Sequence, residues 1–451
     1  MTTAATGVAP VLATRTQPCR AYARRLQEHI TQHTAAVGVV GLGYVGLPMA
    51  LAFAGQGFQV AGIDLDEGKV QRLERGESSL LDIEAEQVGA QVSAGGFVPT
   101  TGYDVIRDLD AVLVCLPTPY NRNKQPDLSY VLSGAERIAE VLQPGQLIVL
   151  ESTTYPGTTQ EVFAPVLERS GLTAGEEFFL AFSPERIDPG NTRFGICNTP
   201  RLVGGITPES TELARLLYSH VADEVVAVSS PKEAEMAKLI ENTFRHVNIA
   251  LANEMAVLCD RMDIDVWEAL DAAATKPYGF MPFYPGPGVG GHCIPIDPCY
   301  LSWKAREFEA PTRFIELANE INSAMPNYVV GKVVDALNDE GKSLQGARIL
   351  VLGVAYKRDI EDVRESPALR IMERLRAKGA QVSYHDPHVP HFDGHQSVPL
   401  DIDALRETDC AVLVTDHQAL DLGLVTQHCR LAVDTRNALR GHRGPCRVVR
   451  L

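Results

Sequence analysis

The chain has 451 residues, of which 45% are hydrophobic and 22% are charged, and its formal net charge is −16. This length predicts two or three domains, each able to bury a core. The acidic balance, without a block of lysine or arginine, argues against nucleic acid and an anionic membrane surface as main partners. A phosphate-bearing small molecule stays compatible with it, because a few local cations and helix N-termini can hold one.

The nine cysteines are scattered and form no CxxC pair. We therefore expect neither a metal site nor a disulfide framework, and a reducing cytoplasm fits this usage. The sequence has no run of about 18 apolar residues that would predict a membrane span, and its first 34 residues lack a signal-peptide pattern. Residues 1–35 are expected to form a loose tail and a short polar helix from Arg20 to Thr34.

Residues 36–64 read as a strand, a glycine turn, a helix and a second strand. The turn has the spacing Gly41-x-Gly43-x-x-Gly46, which in this context is the fingerprint of a dinucleotide-binding fold. Gly41 would make the tight turn, Gly43 would let a diphosphate approach the backbone, and Gly46 would let the helix pack on the strand. The diphosphate would then lie at the helix N-terminus.

The second strand ends at Asp64. An acid at this position would accept hydrogen bonds from ribose hydroxyls, and it favours NAD over NADP. Tyr44 and Val45 complete the glycine turn and are expected to contact the same cofactor.

Three further apolar strands are each followed by residues typical of turns: 111–116, 147–150 and 178–182. Ligands of open parallel sheets bind beyond the carboxyl ends of the strands. Thr118 and Thr153 are therefore expected to face the cofactor, and Glu185 to lie on the same rim. The alternatives are ordinary turn or cap residues for the threonines and a surface acid for Glu185.

Residues 231–262 contain almost no helix breaker and predict one long helix. Its apolar residues recur at helical spacing: Ala234, Ala237, Ile240, Phe244, Val247 and Leu251. Four polar residues lie three or four positions apart and share roughly one face: Lys238, Asn242, Arg245 and His246. Lys238 is either a cation aimed into a cleft or a side chain that reaches solvent, and His246 by itself more often packs a helix than catalyses.

Residues 286–297 read GPGVGGHCIPID, with four glycines and two prolines around one cysteine. Such a loop is tight and shaped, because glycine allows unusual backbone angles and proline restricts them. It presents Cys293, with Asp297 four residues on. Cys293 is a candidate nucleophile if its thiolate is favoured, and a structural turn with a buried thiol is the alternative.

A second long helix is predicted at 311–337, as a bridge between two domains, and a second alternating pattern begins at 347. Strands are expected at 381–385, 410–415 and 431–434. Loops of this smaller domain carry cations that form either an anion pocket or solvated surface charge: Lys357, Arg358, Arg364 and Arg436.

These patterns predict an α/β fold with two Rossmann-like, doubly wound parallel-sheet domains joined by a central helical region with a long bridging helix. The expected segments are a tail with a short helix, a NAD-binding domain, a central helical region with the cysteine loop, and a second α/β domain: 1–35, 36–230, 231–338 and 339–451.

From about Val37 to Arg436 the chain resembles the UDP-glucose/GDP-mannose dehydrogenase family. The resemblance is carried by six motifs: VGLGYVGLP, the EST at 151–153, SPERIDPGN, the KLIEN at 238–242, GPGVGGHCIPIDP and GVAYKRDIEDVRESP. It implies a cytoplasmic enzyme with an NAD domain, a central dimerisation region and a C-terminal domain that binds the nucleotide of a sugar nucleotide. A homodimer, or a higher homo-oligomer, is expected.

GGHCIP together with SPERIDPGN is similar to the branch of the family that acts on UDP-N-acetylhexosamines. Arg186 and Ile187 stand where UDP-glucose enzymes have a phenylalanine–leucine pair after the glutamate. We expect the N-acetylglucosamine epimer first and the galactosamine epimer next. The mannosamine epimer ranks third, because its enzymes tend to have alanine where Pro295 stands.

The resemblance also implies a four-electron oxidation of the sugar C6 alcohol with two NAD+, through a thiohemiacetal and a thioester on Cys293. Lys238, aided by Asn242, would stabilise charge on the C6 oxygen. Asp297 and Thr153 would hold a water or relay a proton, and Glu185 would be the base for hydrolysis. The acceptor of the first alcohol proton is either Lys238 or a water bound to Asp297.

The substrate contacts implied by the resemblance are Glu185, Arg186, Lys238, Asn242, Arg245, His246, Gly290, Lys357 and Arg436. Lys357 and Arg436 would hold UDP. Two other functions stay open: a two-electron β-hydroxyacid dehydrogenase, and a non-catalytic module that binds NAD or a nucleotide sugar.

Overall fold

The computed structural model describes residues 17–78, 80, 83–121, 125–188, 190–191 and 193–451. The described chain forms two compact units. Unit 1 lies within 1–118, 128–188 and 192–236, and unit 2 within 119–127, 189–191 and 237–451. The tail predicted before residue 17 lies outside the described residues, and the four predicted segment boundaries stay a prediction.

The described part of unit 1 contains an eight-stranded sheet, in the order β3-β2-β1-β4-β5-β6-β7-β8. Its strands are β1 Ala36–Val40, β2 Gln59–Ile63, β3 Phe97–Thr100, β4 Ala111–Val114, β5 Leu147–Leu150, β6 Phe179–Phe182, β7 Arg201–Gly205 and β8 Val225–Ala227. The first six are parallel, and β7 pairs antiparallel with β6. In β4, β5 and β6 every residue is buried, because both faces of such a sheet are covered.

Strands β3, β7 and β8 extend the sheet beyond the five strands that the sequence predicts. Strand β7 is short and ends in two glycines, which weakens its signal as a strand. The packing explains one of them: a Cβ on Gly204 would lie 2.2 Å from the carbonyl oxygen of Ser230. Glycine is therefore needed there for close backbone approach.

The helices of unit 1 cover the sheet: α1 Gln17–Thr31, α2 Gly46–Gly55, α3 Glu67–Glu74, α4 Ala85–Ser93, α5 Ser129–Ala139, α6 Ala164–Leu167 and α7 Pro208–Tyr218. Helix α1 confirms the predicted short helix and begins three residues earlier than expected. Its apolar side chains Cys19, Leu26 and Ile30 are buried in the same core as the inner strands. This helix is therefore part of the packed unit.

Two long helices predicted from periodicity are present: residues 231–262 correspond to α8 Pro231–Arg261, and 311–337 to α11 Arg313–Asp339. The remaining helices are α9 Val266–Ala274, α10 Asp297–Ala305, α12 Pro367–Ala377, α13 Ile402–Glu407 and α14 Leu422–His428. Across the described ranges, none of the helices has both the length and the apolar character needed to cross a membrane.

Unit 2 contains a five-stranded parallel sheet in the order β10-β9-β13-β14-β15, which confirms the predicted second, smaller α/β domain. A two-stranded hairpin accompanies it. The strands are β9 Arg348–Leu352, β10 Gln381–His385, β11 His391–Phe392, β12 His395–Gln396, β13 Cys410–Leu413, β14 Leu431–Asp434 and β15 Arg447–Arg450. The hairpin and β15 were not predicted, because their strands are short and rich in polar or charged residues. They therefore lack the apolar alternation that predicts a strand.

A buried carboxylate, Glu235 near the start of α8, anchors the segment that follows β5. It accepts hydrogen bonds from the backbone N–H of Gly157 (2.6 Å) and of Thr159 (2.9 Å), and from the hydroxyl of Thr159 (2.7 Å). Burial raises the pKa of Glu235 to about 7, against the opposite effect of these donors.

We predict that Glu235 makes the stability of unit 1 depend on pH. Its folded pKa lies above its ordinary value of 4.5, so the folded state binds more protons and stability falls as pH rises from 4.5 to 7. Glu235→Gln stays neutral. Relative to the wild type, this variant should therefore become more stable between pH 5 and pH 8, by on the order of 1–3 kcal/mol in the free energy of unfolding. The melting temperatures of both proteins at the two pH values measure this change.

The control is Glu233→Gln, which changes an exposed acid on the same turn and whose carboxyl pKa is lowered by Ser230. It must not show this trend. A difference between Glu235→Gln and the wild type that is the same at both pH values would contradict the prediction.

Candidate functional site

The glycine turn in unit 1 contains three glycines, and the structure gives a different reason for glycine at each position. Gly41 has a φ of +94°, and Gly46 could not carry a side chain, because a Cβ would lie 1.9 Å from the carbonyl oxygen of Gly41. Around a Cβ on Gly43, in contrast, no described atom lies within 4 Å. Helix α2 begins at Gly46, and Val45 before it makes no side-chain cap. The backbone is therefore open where a diphosphate would approach the helix N-terminus.

Asp64 ties the end of β2 to this turn. Its carboxylate accepts hydrogen bonds from the N–H of Leu42 (2.9 Å) and from Nζ of Lys69 (2.7 Å). Burial acts to raise its pKa, but the bonds from Lys69 and from the amides of Asp66 and Leu42 prevail, and the pKa is lowered. Asp64 is thus held ionised beside the glycine turn, as an acceptor for ribose hydroxyls must be. Lys69 is a neighbour that the sequence did not reveal.

Beyond β5, a buried ion pair supports the loop that carries Thr153. The guanidinium of Arg201 donates to the carboxylate of Glu151 and to the hydroxyl of Ser183 (Nε to Oγ 3.1 Å). The hydroxyl of Tyr218 donates to the other oxygen of Glu151 (2.5 Å). Breaking such a buried pair leaves an uncompensated charge and costs about 3–5 kcal/mol. The network therefore fixes the backbone two residues before Thr153.

The predicted residues at the rim of the first sheet have different surroundings. Thr118 is buried, and Thr153 is half-buried. Glu185 is buried, and its carboxylate accepts a hydrogen bond from the N–H of Ile187. Arg186 donates to the carbonyl oxygen of Pro200 (2.7 Å). The guanidinium of Arg186 thus binds the backbone of unit 1 in this structure, and its contact with a substrate stays a proposal.

In unit 2, the predicted helix face and the cysteine loop meet. Lys238 and Asn242 are buried on α8, and the amide of Asn242 donates to the carboxylate of Asp297. Arg245 donates to the amide oxygen of Asn242. Asp297, the first residue of α10, donates its own N–H to the carbonyl oxygen of Cys293 (2.9 Å). The chain of contacts thus leads from Arg245 through Asn242 and Asp297 to the backbone of Cys293.

Cys293 itself is partly exposed. Asn242 and Asp297, which hold its loop, are buried. The preceding His292 has a lowered pKa, chiefly because it is buried and then because Arg364 is near. Its imidazole is therefore neutral at neutral pH. His292 supplies packing and no positive charge beside the thiol.

The cysteine loop is also packed against the second sheet's loops. A Cβ on Gly290 would lie 2.7 Å from Cβ of Tyr356, and one on Gly286 would lie 2.6 Å from a guanidinium nitrogen of Arg436. Arg436 donates from Nε to the carbonyl oxygen of Val414 (2.8 Å), and burial lowers its pKa. Lys357, the residue after Tyr356, is half-buried. The glycines thus bring the loop into contact with two segments that carry predicted UDP-binding cations.

A buried amide network, which the sequence did not reveal, holds the start of the same loop. Asn253 of α8 accepts the N–H of Gly286 (2.9 Å) and donates to the side-chain oxygen of Asn322 (2.9 Å). Asn322 of α11 in turn donates to the carbonyl oxygen of His246 (3.2 Å). His246 is fully buried and lines a cavity of about 30 Å³ together with Pro295. Residues far apart in sequence therefore position the loop, which local patterns cannot show.

We predict opposite effects for two glycines of the turn. Gly43→Ala places its methyl group where no described atom lies, so the fold is kept while a bound diphosphate loses room. Gly46→Ala forces a Cβ against the backbone of Gly41, so the unit is destabilised. Calorimetric titration with NAD+ should show a dissociation constant about tenfold higher or more for Gly43→Ala, at an unchanged melting temperature. Gly46→Ala should melt at a lower temperature.

Unchanged NAD+ affinity in Gly43→Ala would exclude this turn as the diphosphate site. The pair of variants separates binding from folding, because a Cβ on Gly43 meets no described atom and one on Gly46 meets the backbone of Gly41.

Sequence profiles of one family match most of the chain. They are the UDP-glucose/GDP-mannose dehydrogenase family NAD binding domain at residues 35–222, the central domain at 232–324 and the UDP binding domain at 350–441. The predicted NAD cofactor is thereby confirmed.

Individual relatives agree with this assignment. The chain is 36% identical over 401 residues to a UDP-N-acetyl-D-mannosamine dehydrogenase of Methanococcus maripaludis, covering 87% of this chain and 89% of the relative. It is 40% identical over 359 residues to a UDP-N-acetyl-D-glucosamine 6-dehydrogenase of Pseudomonas aeruginosa, covering 79% and 84%. The solved UDP-D-ManNAc dehydrogenase of Pyrococcus horikoshii superposes with a TM-score of 0.84 at 32% identity, covering 92% of this chain and 98% of that chain. The chain therefore belongs to the UDP-glucose/GDP-mannose dehydrogenase family, and the NAD-dependent UDP-sugar dehydrogenases of this family are its relatives.

Proposed function

We propose that this dehydrogenase oxidises C6 of a UDP-N-acetylhexosamine, UDP-GlcNAc first, to the uronic acid, as a precursor of a surface polysaccharide. The observation that carries the proposal is the buried contact of Asn242 with Asp297, which connects the Cys293 loop to the helix that carries Lys238. A two-electron dehydrogenase needs no such cysteine. A four-electron oxidation does, because its aldehyde intermediate must be held between the two oxidations.

In the proposed mechanism, the Cys293 thiolate adds to the C6 aldehyde and forms a thiohemiacetal. Oxidation of this adduct leaves a thioester, and water then cleaves the C–S bond to give the carboxylate and the free thiol. Bound NAD+ supplies the hydride acceptor for both oxidations. Lys238 stabilises negative charge on the C6 oxygen, and the amide of Asn242 aids it. Asp297, held by Asn242, orients the water together with Thr153.

Glu185 is the proposed base for the hydrolysis, because a buried carboxylate can take the proton from the attacking water. For UDP itself we propose Lys357 and Arg436, whose segments contact the cysteine loop through Tyr356 and Gly286. The remaining proposed substrate contacts are Arg186, Arg245, His246 and Gly290. Because His246 is fully buried beside Asn322, we propose that it acts by positioning.

The choice of sugar epimer rests on two supports. GGHCIP with Pro295 is similar to the UDP-N-acetylhexosamine branch, and the glucosamine relative is the more identical of the two curated relatives named above. The mannosamine epimer stays an alternative, because a UDP-N-acetyl-D-mannosamine dehydrogenase is among the relatives. Initial rates with NAD+ and UDP-GlcNAc, UDP-GalNAc, UDP-ManNAc or UDP-glucose decide between them, and a preference for any sugar but UDP-GlcNAc would overturn the first choice.

We also propose a homodimer through the central helices. Four apolar side chains of α8 are exposed on unit 2 at intervals of four or seven residues, which places them on one helical face: Ile240, Phe244, Leu251 and Leu258. Contiguous apolar surface of this kind marks an interaction site. Light scattering on Phe244→Glu checks the proposal, and an unchanged oligomeric mass for both this variant and Leu251→Glu would contradict it.

We predict that Cys293→Ser abolishes formation of the uronic acid while NAD+ and the UDP-sugar still bind. The wild type should form two NADH per sugar consumed, because the alcohol is oxidised twice. The measurement is NADH absorbance together with the acid product. Cys197→Ser is the control, because Cys197 is an exposed cysteine of unit 1, and it should keep wild-type rates. Two NADH per sugar at near-native rate in Cys293→Ala would refute the covalent mechanism.

We predict that Glu185→Gln slows thioester hydrolysis and traps the sugar on the enzyme, because the amide cannot accept the proton of the attacking water. Intact-protein mass spectrometry with NAD+ and the UDP-sugar should show an adduct on most molecules. The double variant with Cys293→Ser should show none. If Glu185→Gln turns over without any adduct, the base for hydrolysis is another group.

A further inference from the structure

Three loops of unit 2 bring Asp359, His388 and His417 together. They follow β9, β10 and β13, which are neighbours in the sheet, so their carboxyl ends meet at one edge. Oδ1 of Asp359 lies 3.7 Å from Nε2 of His388 and 3.8 Å from Nδ1 of His417. The three donor atoms all lie within 4.8 Å of one another. No step of the proposed oxidation uses these side chains.

His417 is oriented as a metal-ligating histidine would be. Its ring is fully buried, and its Nε2 lies 3.0 Å from Oδ2 of Asp386, a buried carboxylate. The backbone N–H of Asp359 donates to Nδ1 (2.9 Å), so the hydrogen-bond network assigns the proton to Nε2. Nδ1 therefore carries the lone pair, which accepts the N–H of Asp359 in this structure. A carboxylate behind the imidazole is the usual outer partner of a metal-bound histidine.

Of the other two donors, Nε2 of His388 lacks a hydrogen-bond partner among the described residues, and Asp359 is held by its loop. The Nε2 atom is buried, and buried polar atoms without a partner are rare in folded proteins. Asp359 is held in the left-handed region, with a φ of +59°. Its Oδ1 accepts the N–H of Gln418 (2.8 Å). The loop geometry thus fixes a carboxylate oxygen between two imidazole nitrogens.

We propose that Asp359, His388 and His417 bind a divalent cation of the zinc class. Two imidazole nitrogens and one carboxylate oxygen suit Zn²⁺ or Co²⁺, with the fourth position of the tetrahedron left to water. Donor atoms around such an ion lie about 3.3–3.5 Å apart, so the two observed distances of 3.7 and 3.8 Å, and the third of up to 4.8 Å, require the loops to close on the ion. Nδ1 of His417 would exchange the N–H of Asp359 for the ion. This proposal differs from the expectation of no metal site, which rested on cysteine spacing alone.

The cation would join the loops after three neighbouring strands of the second sheet. One of these loops also carries Lys357, two residues before Asp359, and Arg358, whose guanidinium is already bound to Asp416 in the loop of His417. The site would therefore order the loop from which Lys357 is proposed to reach UDP. It is a structural role, separate from the oxidation at Cys293.

The test uses the full chain without a histidine tag, first treated with a chelator and then dialysed. Titration with Zn²⁺ by calorimetry should show one ion per chain, and Co²⁺ should give the ligand-field absorption of a tetrahedral site with nitrogen and oxygen ligands. His388→Ala should abolish both signals. It is the preferred variant because His388 is partly exposed, whereas His417 is fully buried and its replacement can unfold the domain.

His395→Ala is the matched control, because His395 is an exposed histidine on the adjacent hairpin, and it should bind as the wild type does. Asp386→Asn should weaken binding about 10–100-fold through the orientation of His417, and its melting temperature shows whether the domain is folded. The proposal is overturned if the wild type takes up no Zn²⁺ or Co²⁺. It is equally overturned if His388→Ala binds as tightly as the wild type.

Discussion

The buried hydrogen bond between Asn242 and Asp297 fixes the cysteine loop to the longest helix of the described chain. A loop with four glycines has many conformations open to it, so it needs outside support to hold one of them. Asp297 is buried, and a buried carboxylate is stable only when donors surround it. The bond with Asn242 meets both needs, and the N–H of Asp297 passes the constraint on to Cys293.

In both sheets the candidate functional residues lie where parallel strands end. In unit 1 the glycine turn, Asp64, Thr153 and Glu185 all follow strands, and buried contacts such as Arg201 with Glu151 hold those segments in place. In unit 2 the loops after β9, β10 and β13 carry Lys357 and the proposed cation ligands. The reason is the same in both cases. Parallel strands point one way, so residues distant in the chain meet at one edge.

Local patterns predicted the fold well where a period or a turn residue carries the signal. The two long helices were found within about two residues at each end, and β10 and β14 coincide with their predicted ranges. Strand β7 was missed, because its Gly204 is required by the carbonyl of Ser230, a contact that only packing creates. The edge strand β15 was missed for a similar reason, since its pairing with β14 supplies the order that its sequence lacks.

The sequence by itself determined the α/β class, the NAD cofactor and the family, because glycine spacing, strand-end acids and helical periodicity are local. It also singled out Cys293, Lys238, Asn242 and Asp297 as candidates. Only the tertiary structure decided how the cysteine loop is held, by Asn242 through Asp297 and by Asn253 through Gly286, and that Asp359, His388 and His417 converge. These contacts join residues that are 29 to 58 positions apart, and a buried polar group finds its partner through the packing of the whole core.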